Sequence, residues 1–192
     1  MGEKELNYAE FNGKRTEAYD LLEMLKVRGF SVTPPIAIEN IIKFLGLALE
    51  INPDFNNIKV IGRITIKNGA PTIWVNPIKN TTEERKRFTL AHELGHFMLH
   101  IAPEGKINNF DEFSDKNISF NRDDNWSYTE MEANNFAAEL LIPISLAKSK
   151  VKDILTSEPG ISTEDMLVKL SKCFEVSETA MEYRLRNLGV IA

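Results

Sequence analysis

This sequence of 192 residues has one cysteine, three histidines and no long apolar run. These features exclude several classes of protein and several kinds of site. The single cysteine, Cys173, excludes an intrachain disulfide, which fits a reducing compartment. Its apolar surroundings favour a core position over metal or nucleophilic chemistry. No apolar run approaches the ~18 residues of a membrane span, and the first residues lack the apolar stretch of a secretory signal. We therefore expect a cytoplasmic protein that does not enter a membrane.

Positive charge is also in short supply. Lys and Arg number 23 against 28 Asp and Glu, for a net charge of -5, which argues against a basic surface for non-specific nucleic-acid binding. The last 25 or so residues have the rhythm of a helix-turn-helix, with Arg184 and Arg186 on the second helix. Three nearby glutamates, Glu175, Glu178 and Glu182, oppose phosphate binding, so we expect a packing hairpin and no direct nucleic-acid binding.

Apolar periodicity predicts mostly helical structure around a small sheet. Helices are expected over about 16–28, 36–45, 82–100 and 129–141, with two or three short ones in the tail. Alternation over 47–51, 60–66 and 72–75 predicts strands, and Asn68-Gly69 is a strong signal for a two-residue hairpin turn. The fold class is therefore α+β: mostly helical, with a small antiparallel sheet of about three strands beside the third helix.

The third helix contains the main chemical signal. His92-Glu93-Leu94-Gly95-His96 places two imidazoles four residues apart, on one helical face, where both can reach one cation. Glu93 projects beside the pair, close enough to take a proton from a metal-bound water. The chain has only three histidines, so this spacing is not expected from composition. We predict one catalytic Zn²⁺ held by His92 and His96 with Glu93 as the base, although manganese or iron would also suit the site.

A third ligand must come from elsewhere in the chain. His100 lies one turn beyond His96, ~5–6 Å along the axis, which favours a supporting or packing role. Glu130, on the next predicted helix, is the better candidate, and Asn134 one turn on can support Glu130 or an adjacent histidine. The neighbouring Glu132 points about 200° away and is expected in solvent, as is Glu139. Tyr128 and His100 are candidates for stabilising the oxyanion.

Two segments together resemble a known family. Arg87 to His100 and Glu130 to Pro143 are similar to the rFTlAHELGHxxLH and ExxANxFAxxLLxP helices of the ImmA/IrrE metallopeptidases, and the likeness extends from about Glu17 to Pro143. It implies that His92, His96 and Glu130 bind zinc in a gluzincin-like arrangement with Glu93 as general base. Known members cleave a helix-turn-helix repressor to switch on stress-response or mobile-element genes.

The resemblance sets the functional expectations. Residues 1–143 are expected to form the peptidase core and 144–192 a helical tail packed on it. The expected partner is a protein substrate, such as a repressor encoded nearby. The edge of the sheet near Ile73-Trp74-Val75 is a possible place for a substrate strand, although an ordinary structural strand is the safer interpretation. The polar loop Glu104–Asn125 is either a lid or specificity loop or a disordered segment without function. The alternatives are a non-proteolytic metal-binding regulator and a DNA-binding regulator.

Overall fold

The computed structural model describes residues 6–67, 69–105, 107, 112–114 and 128–191. These residues form the following helices and strands: α1 (Ala18–Val27), α2 (Ile38–Phe44), β1 (Ala48–Ile51), β2 (Gly62–Lys67), β3 (Ala70–Val75), α3 (Glu83–His96), β4 (Glu112–Ser114), α4 (Tyr128–Leu141), α5 (Ile144–Ser157), α6 (Thr163–Phe174) and α7 (Glu178–Asn187). The predicted α+β class is confirmed, and the predicted helices agree with the observed ones to within a few residues.

The sheet has four strands in the order β1-β3-β2-β4. The hairpin prediction is confirmed for the described residues, because Lys67 pairs with Ala70 and Gly69 has a φ of 75°, as a type I′ turn requires. Among the described residues the sheet differs from the expectation in two respects. β1 runs parallel to β3, so the sheet is mixed and not purely antiparallel, and β4, from the segment predicted as a polar loop, adds a fourth strand beside β2. The parallel pairing follows from the chain path, since residues 52–61 carry the chain past the place that β3 then fills.

Helix α3 crosses the core between the sheet and α4. Thr82 caps its start by accepting a hydrogen bond from the backbone N–H of Arg85, and two glutamates follow in the first turn. From Thr89 to His96 every residue is buried, because α2, α4, β2 and β3 all contact this helix. The chain then continues from Phe97 to Ile101 as a π-helical turn that carries His100.

The tail helices share the hydrophobic core of the rest of the chain. Phe174 of α6 and Leu185 of α7 belong to the same buried cluster as α1 and α3, and Cys173 packs against it. Arg87 joins these regions, since its guanidinium donates to the backbone carbonyls of Ile36, Phe174 and Glu175 at 2.8 to 3.4 Å. Burial lowers the pKa of Arg87, and the nearby Glu175 carboxylate opposes this.

The segment before α1 lies along the π-helical turn. The backbone N–H of Gly13 donates to the carbonyl of Ala102 at 2.7 Å, and that of Thr16 to the carbonyl of Met98 at 3.3 Å. These two hydrogen bonds therefore hold residues 13–16 against the turn that contains His100. Within the described ranges, no helix has the length and apolar character needed to cross a bilayer.

Candidate metal centre

Three side chains from two helices converge at the C-terminal half of α3. The Nε2 atoms of His92 and His96 are 2.9 Å apart. The Glu130 carboxylate, from the first turn of α4, approaches both rings, with Oε2 at 3.3 Å from His92 Nε2 and Oε1 at 3.3 Å from His96 Nε2. The four-residue spacing on α3 thus brings both rings to one point, as the sequence predicted.

Small residues let α4 approach α3 closely enough for Glu130 to reach the histidines. A Cβ added to Gly95 would lie 3.2 Å from the backbone oxygen of Ala133 and 3.1 Å from Cδ1 of Phe136. Both contacts are tighter than ordinary van der Waals distances, so a side chain at this position would require Ala133 and Phe136 to shift by a few tenths of an ångström. Gly95 of the motif therefore has a packing role that the spacing of ligands alone does not reveal.

The residues present fit a divalent metal ion. Bonds of about 2.0–2.1 Å in tetrahedral geometry separate two ligand atoms by about 3.3 Å. Both carboxylate-to-imidazole distances match this value, and the two Nε2 atoms lie closer together, at 2.9 Å. Within the described part of the chain, His92, His96 and Glu130 form a group that could hold an ion, with ligand atoms within 4.8 Å of one another. Burial raises the pKa of Glu130, but the adjacent imidazoles of His92 and His96 outweigh this effect and lower that pKa to about 2. The carboxylate is therefore charged, as a ligand must be.

Asn134 determines which nitrogen of His92 faces the other ligands. Its Oδ1 lies 2.9 Å from His92 Nδ1. A carbonyl oxygen only accepts, so Nδ1 carries the hydrogen and Nε2 keeps its lone pair for a metal. The sequence left open whether Asn134 supports Glu130 or a histidine. In the structure its partner is His92.

His100 and Glu132 lie behind His96. The Nδ1 atoms of His100 and His96 are 3.2 Å apart, and His100 Nε2 lies 3.0 Å from Glu132 Oε2. His100 therefore sits beside a candidate ligand and outside the three-residue cluster. Burial lowers the pKa of His100, and its hydrogen bond to Glu132 partly opposes this. The expectation that Glu132 lies in solvent was wrong: its side chain is 15% exposed and also binds Arg15. The prediction used only the helical wheel of α4, whereas the π-helical turn and the segment before α1 cover that side.

Glu93 is buried, and Gly62, the first residue of β2, packs against its side chain. A Cβ added to Gly62 would lie 2.8 Å from Glu93 Oε1 and 2.6 Å from Cγ2 of Thr89. Only a residue without a side chain leaves room for the carboxylate in this position. Sequence reasoning did not identify Gly62, because only the tertiary packing of β2 on α3 reveals the contact.

A buried amide network holds that part of β2 in place. Thr89 Oγ1 donates to Asn80 Oδ1 at 2.7 Å, and Asn80 Nδ2 donates to the carbonyls of Ile61 and Asn76. Asn76 Nδ2 in turn donates to the carbonyl of Val60. The two residues before Gly62 are thus hydrogen-bonded to the loop between β3 and α3, and through Thr89 to the Glu93 helix.

Other predicted features lie farther from the three ligands. Tyr128 begins α4 with 69% of its side chain exposed, and Glu139, expected in solvent, is partly buried and accepts from Arg184 at 3.3 Å. Of the two interpretations of Ile73-Trp74-Val75, the ordinary structural strand is confirmed and the substrate-binding edge was wrong, because β3 is paired on both sides and β1 and β4 are the described edges. Most of the polar loop Glu104–Asn125 lies outside the described residues.

Two histidines from one helix and a glutamate from a second form a candidate metal site, with a buried glutamate beside the first histidine, as the resemblance to the metallopeptidases implied. The comparison with protein families agrees. The family model of peptidase M78, described as the IrrE N-terminal-like domain, matches residues 51–186. The chain belongs to this metallopeptidase family, and the resemblance to ImmA/IrrE proteins is confirmed. No curated protein matches the chain.

Proposed function

We propose that this protein is a zinc-dependent endopeptidase of the cytoplasm that cleaves a regulatory protein, such as a helix-turn-helix repressor encoded nearby. The observation that carries the proposal is the cluster of His92, His96 and Glu130, whose candidate ligand atoms lie 2.9 to 3.3 Å apart, close enough to bind one ion. Three protein ligands leave a fourth position for water or substrate, which distinguishes catalytic from structural zinc sites.

In this proposal, different residues of the chain have different roles in the cleavage reaction. When bound, the metal supplies Lewis acidity that activates water and polarises a peptide carbonyl. Glu93 takes the proton from the attacking water and transfers it to the leaving amine, as a general base and then a general acid. Its enclosure by Gly62 and Thr89 fixes the carboxylate in one position. Asn134 orients His92. Tyr128 remains the candidate for stabilising the oxyanion, whereas His100, the other candidate from the sequence, has both ring nitrogens bonded to His96 and Glu132.

A groove that adjoins the site at Asn134 is large enough for a polypeptide. It has a volume of about 1160 Å³ and runs from Asn134 and Met131 on α4, past Phe88, to Val176 and Tyr183 near α7, and its lining does not include the three candidate ligands. Pockets for small ligands enclose about 300–1,000 Å³, so this groove has room for several residues of extended chain. Its lining mixes apolar side chains with carboxylates and amines.

The test is a comparison of the wild type with Glu93→Gln. Both proteins are loaded with zinc, and metal content is measured alongside cleavage of the protein encoded by the neighbouring gene. We expect one zinc per chain in both and cleavage only by the wild type. The variant His92→Ala, which removes a ligand, is expected to lose both zinc and cleavage. If regulation of the target survives in Glu93→Gln, the protein is instead a non-proteolytic metal-binding regulator.

The DNA-binding alternative depends on the arginines of α7. Arg184 donates to the carbonyl of Ile142 and to Glu139, and Arg186 pairs with Glu182. Both guanidinium groups are therefore already used within the chain, which favours the peptidase. Absence of binding to duplex DNA at low salt would remove this alternative.

A further inference from the structure

Four side chains form a continuous line of hydrogen bonds that ends at a candidate metal ligand. Arg15 Nη2 lies 2.7 Å from Glu132 Oε1, Glu132 Oε2 lies 3.0 Å from His100 Nε2, and His100 Nδ1 lies 3.2 Å from His96 Nδ1. We propose that Glu132, held by Arg15 and acting through His100, is a positioning residue that selects the metal-binding tautomer of His96. The inference deepens the proposed function, because it concerns the same metal centre.

The proton positions follow from which atoms can donate. A carboxylate only accepts, so His100 Nε2 carries a hydrogen and donates it to Glu132. In a neutral imidazole the other nitrogen is then an acceptor, and His96 Nδ1 must donate to it. His96 Nε2 is left with a lone pair that faces His92 and Glu130. The reverse arrangement would put a hydrogen on His96 Nε2 and block the ligand position.

Arg15 fixes the orientation of the carboxylate. Its guanidinium binds one oxygen of Glu132, so the other oxygen faces His100. The same guanidinium is 2.9 Å from Glu17 and donates to the backbone carbonyl of Leu99 in the π-helical turn. The backbone of residues 13–16 is also hydrogen-bonded to Met98 and Ala102, at the two ends of that turn. These bonds hold Arg15 in place relative to His100.

The two histidines of the candidate site are therefore oriented by different hydrogen-bond partners. His92 is oriented by the neutral amide of Asn134, whereas His96 is oriented through an imidazole by a carboxylate. Hydrogen-bonded partners of metal ligands change metal affinity by about 10–100-fold when removed. Loss of the Glu132 carboxylate is therefore expected to weaken zinc binding even though Glu132 is not a ligand.

The first measurement is the Kd for zinc, obtained by competition with a chromophoric chelator. We expect Glu132→Ala to raise the Kd by about 10–100-fold and Glu132→Gln, which keeps the shape, to raise it by a smaller factor. Arg15→Met is expected to fall between the wild type and Glu132→Ala. The matched control is Glu139→Gln, which removes another half-buried glutamate of α4 that pairs with an arginine, and which should leave the Kd unchanged within about twofold.

The second measurement reads the tautomer directly in the metal-free protein. Ring nitrogen NMR shifts of ¹⁵N-labelled histidine should show His96 with its hydrogen on Nδ1 in the wild type and as a mixture of tautomers in Glu132→Gln. A wild-type Kd in folded Glu132→Ala, or a hydrogen on His96 Nε2 in the wild type, overturns the proposal. Neither readout uses a substrate, so a wild type that binds zinc but cleaves nothing would count against the peptidase function alone.

Discussion

Gly62→Ala should separate catalysis from metal binding. The added methyl would lie 2.8 Å from Glu93 Oε1, 3.3 Å from Glu93 Cγ and 2.6 Å from Thr89 Cγ2, whereas ordinary contacts begin near 3.4 Å. The Glu93 carboxylate must therefore move by roughly 0.5–1 Å. A displacement of about 1 Å can cost about 100-fold in rate, or about 2.7 kcal/mol of transition-state stabilisation. The three atoms nearest the added methyl belong to Thr89 and Glu93 and not to a candidate ligand, so we expect the zinc content to stay the same.

The assay measures kcat and KM for cleavage together with zinc per chain. We expect kcat to fall about 100-fold with one zinc retained, and the free energy of unfolding to fall by about 1–3 kcal/mol from overpacking. A second variant, Gly62→Ala with Thr89→Ser, removes the clashing Cγ2 but keeps the hydroxyl that binds Asn80. It should recover part of the stability and none of the rate. A Gly62→Ala protein with wild-type kcat would refute the reasoning, as would one that loses its zinc.

Two further substitutions test packing around the site. Gly95→Ala places a methyl against Ala133 and Phe136, and should move α4 enough to weaken zinc binding measurably in a chelator competition; an unchanged Kd would contradict the role assigned to this glycine. Arg87→Met leaves three backbone carbonyls without their donor and should lower the free energy of unfolding by about 2–4 kcal/mol in a denaturant titration. Arg186→Met, which breaks an exposed i,i+4 pair with Glu182, is its control and should cost about 0.5 kcal/mol or less; equal losses in the two variants would contradict the role assigned to Arg87.

The sequence predicted the parts of the structure that depend on local spacing. The capping of α3 by Thr82 and the turn at Gly69 both follow from a few neighbouring residues. The convergence of His92 and His96 follows from the helical repeat alone. Glu130 was predicted from a second helix whose motif resembles that of the family, and it lies beside both rings.

The remaining features depend on contacts between distant residues. No pattern in residues 52–61 indicates that β3 will insert between β1 and β2, so the parallel pairing and the central position of β3 were not predictable. The partners of Glu132 are 117 and 32 residues away in the chain. Gly62 shows its importance only when β2 is packed against Glu93. Spacing therefore predicts the ligands, while the surroundings that orient them come from the tertiary fold.

The hydrogen-bonded segment at residues 13–16 affects whether the candidate metal centre can be transferred from this protein into another member of the family. Arg15 lies outside residues 51–186, the part matched by the family, yet it binds the carboxylate behind His96. A chimera that transfers only the matched part into another member would carry all three candidate ligands but leave Arg15 behind. Its metal affinity would then depend on which residue the recipient supplies beside the π-helical turn, so the boundary of the family match is not the boundary of the metal centre.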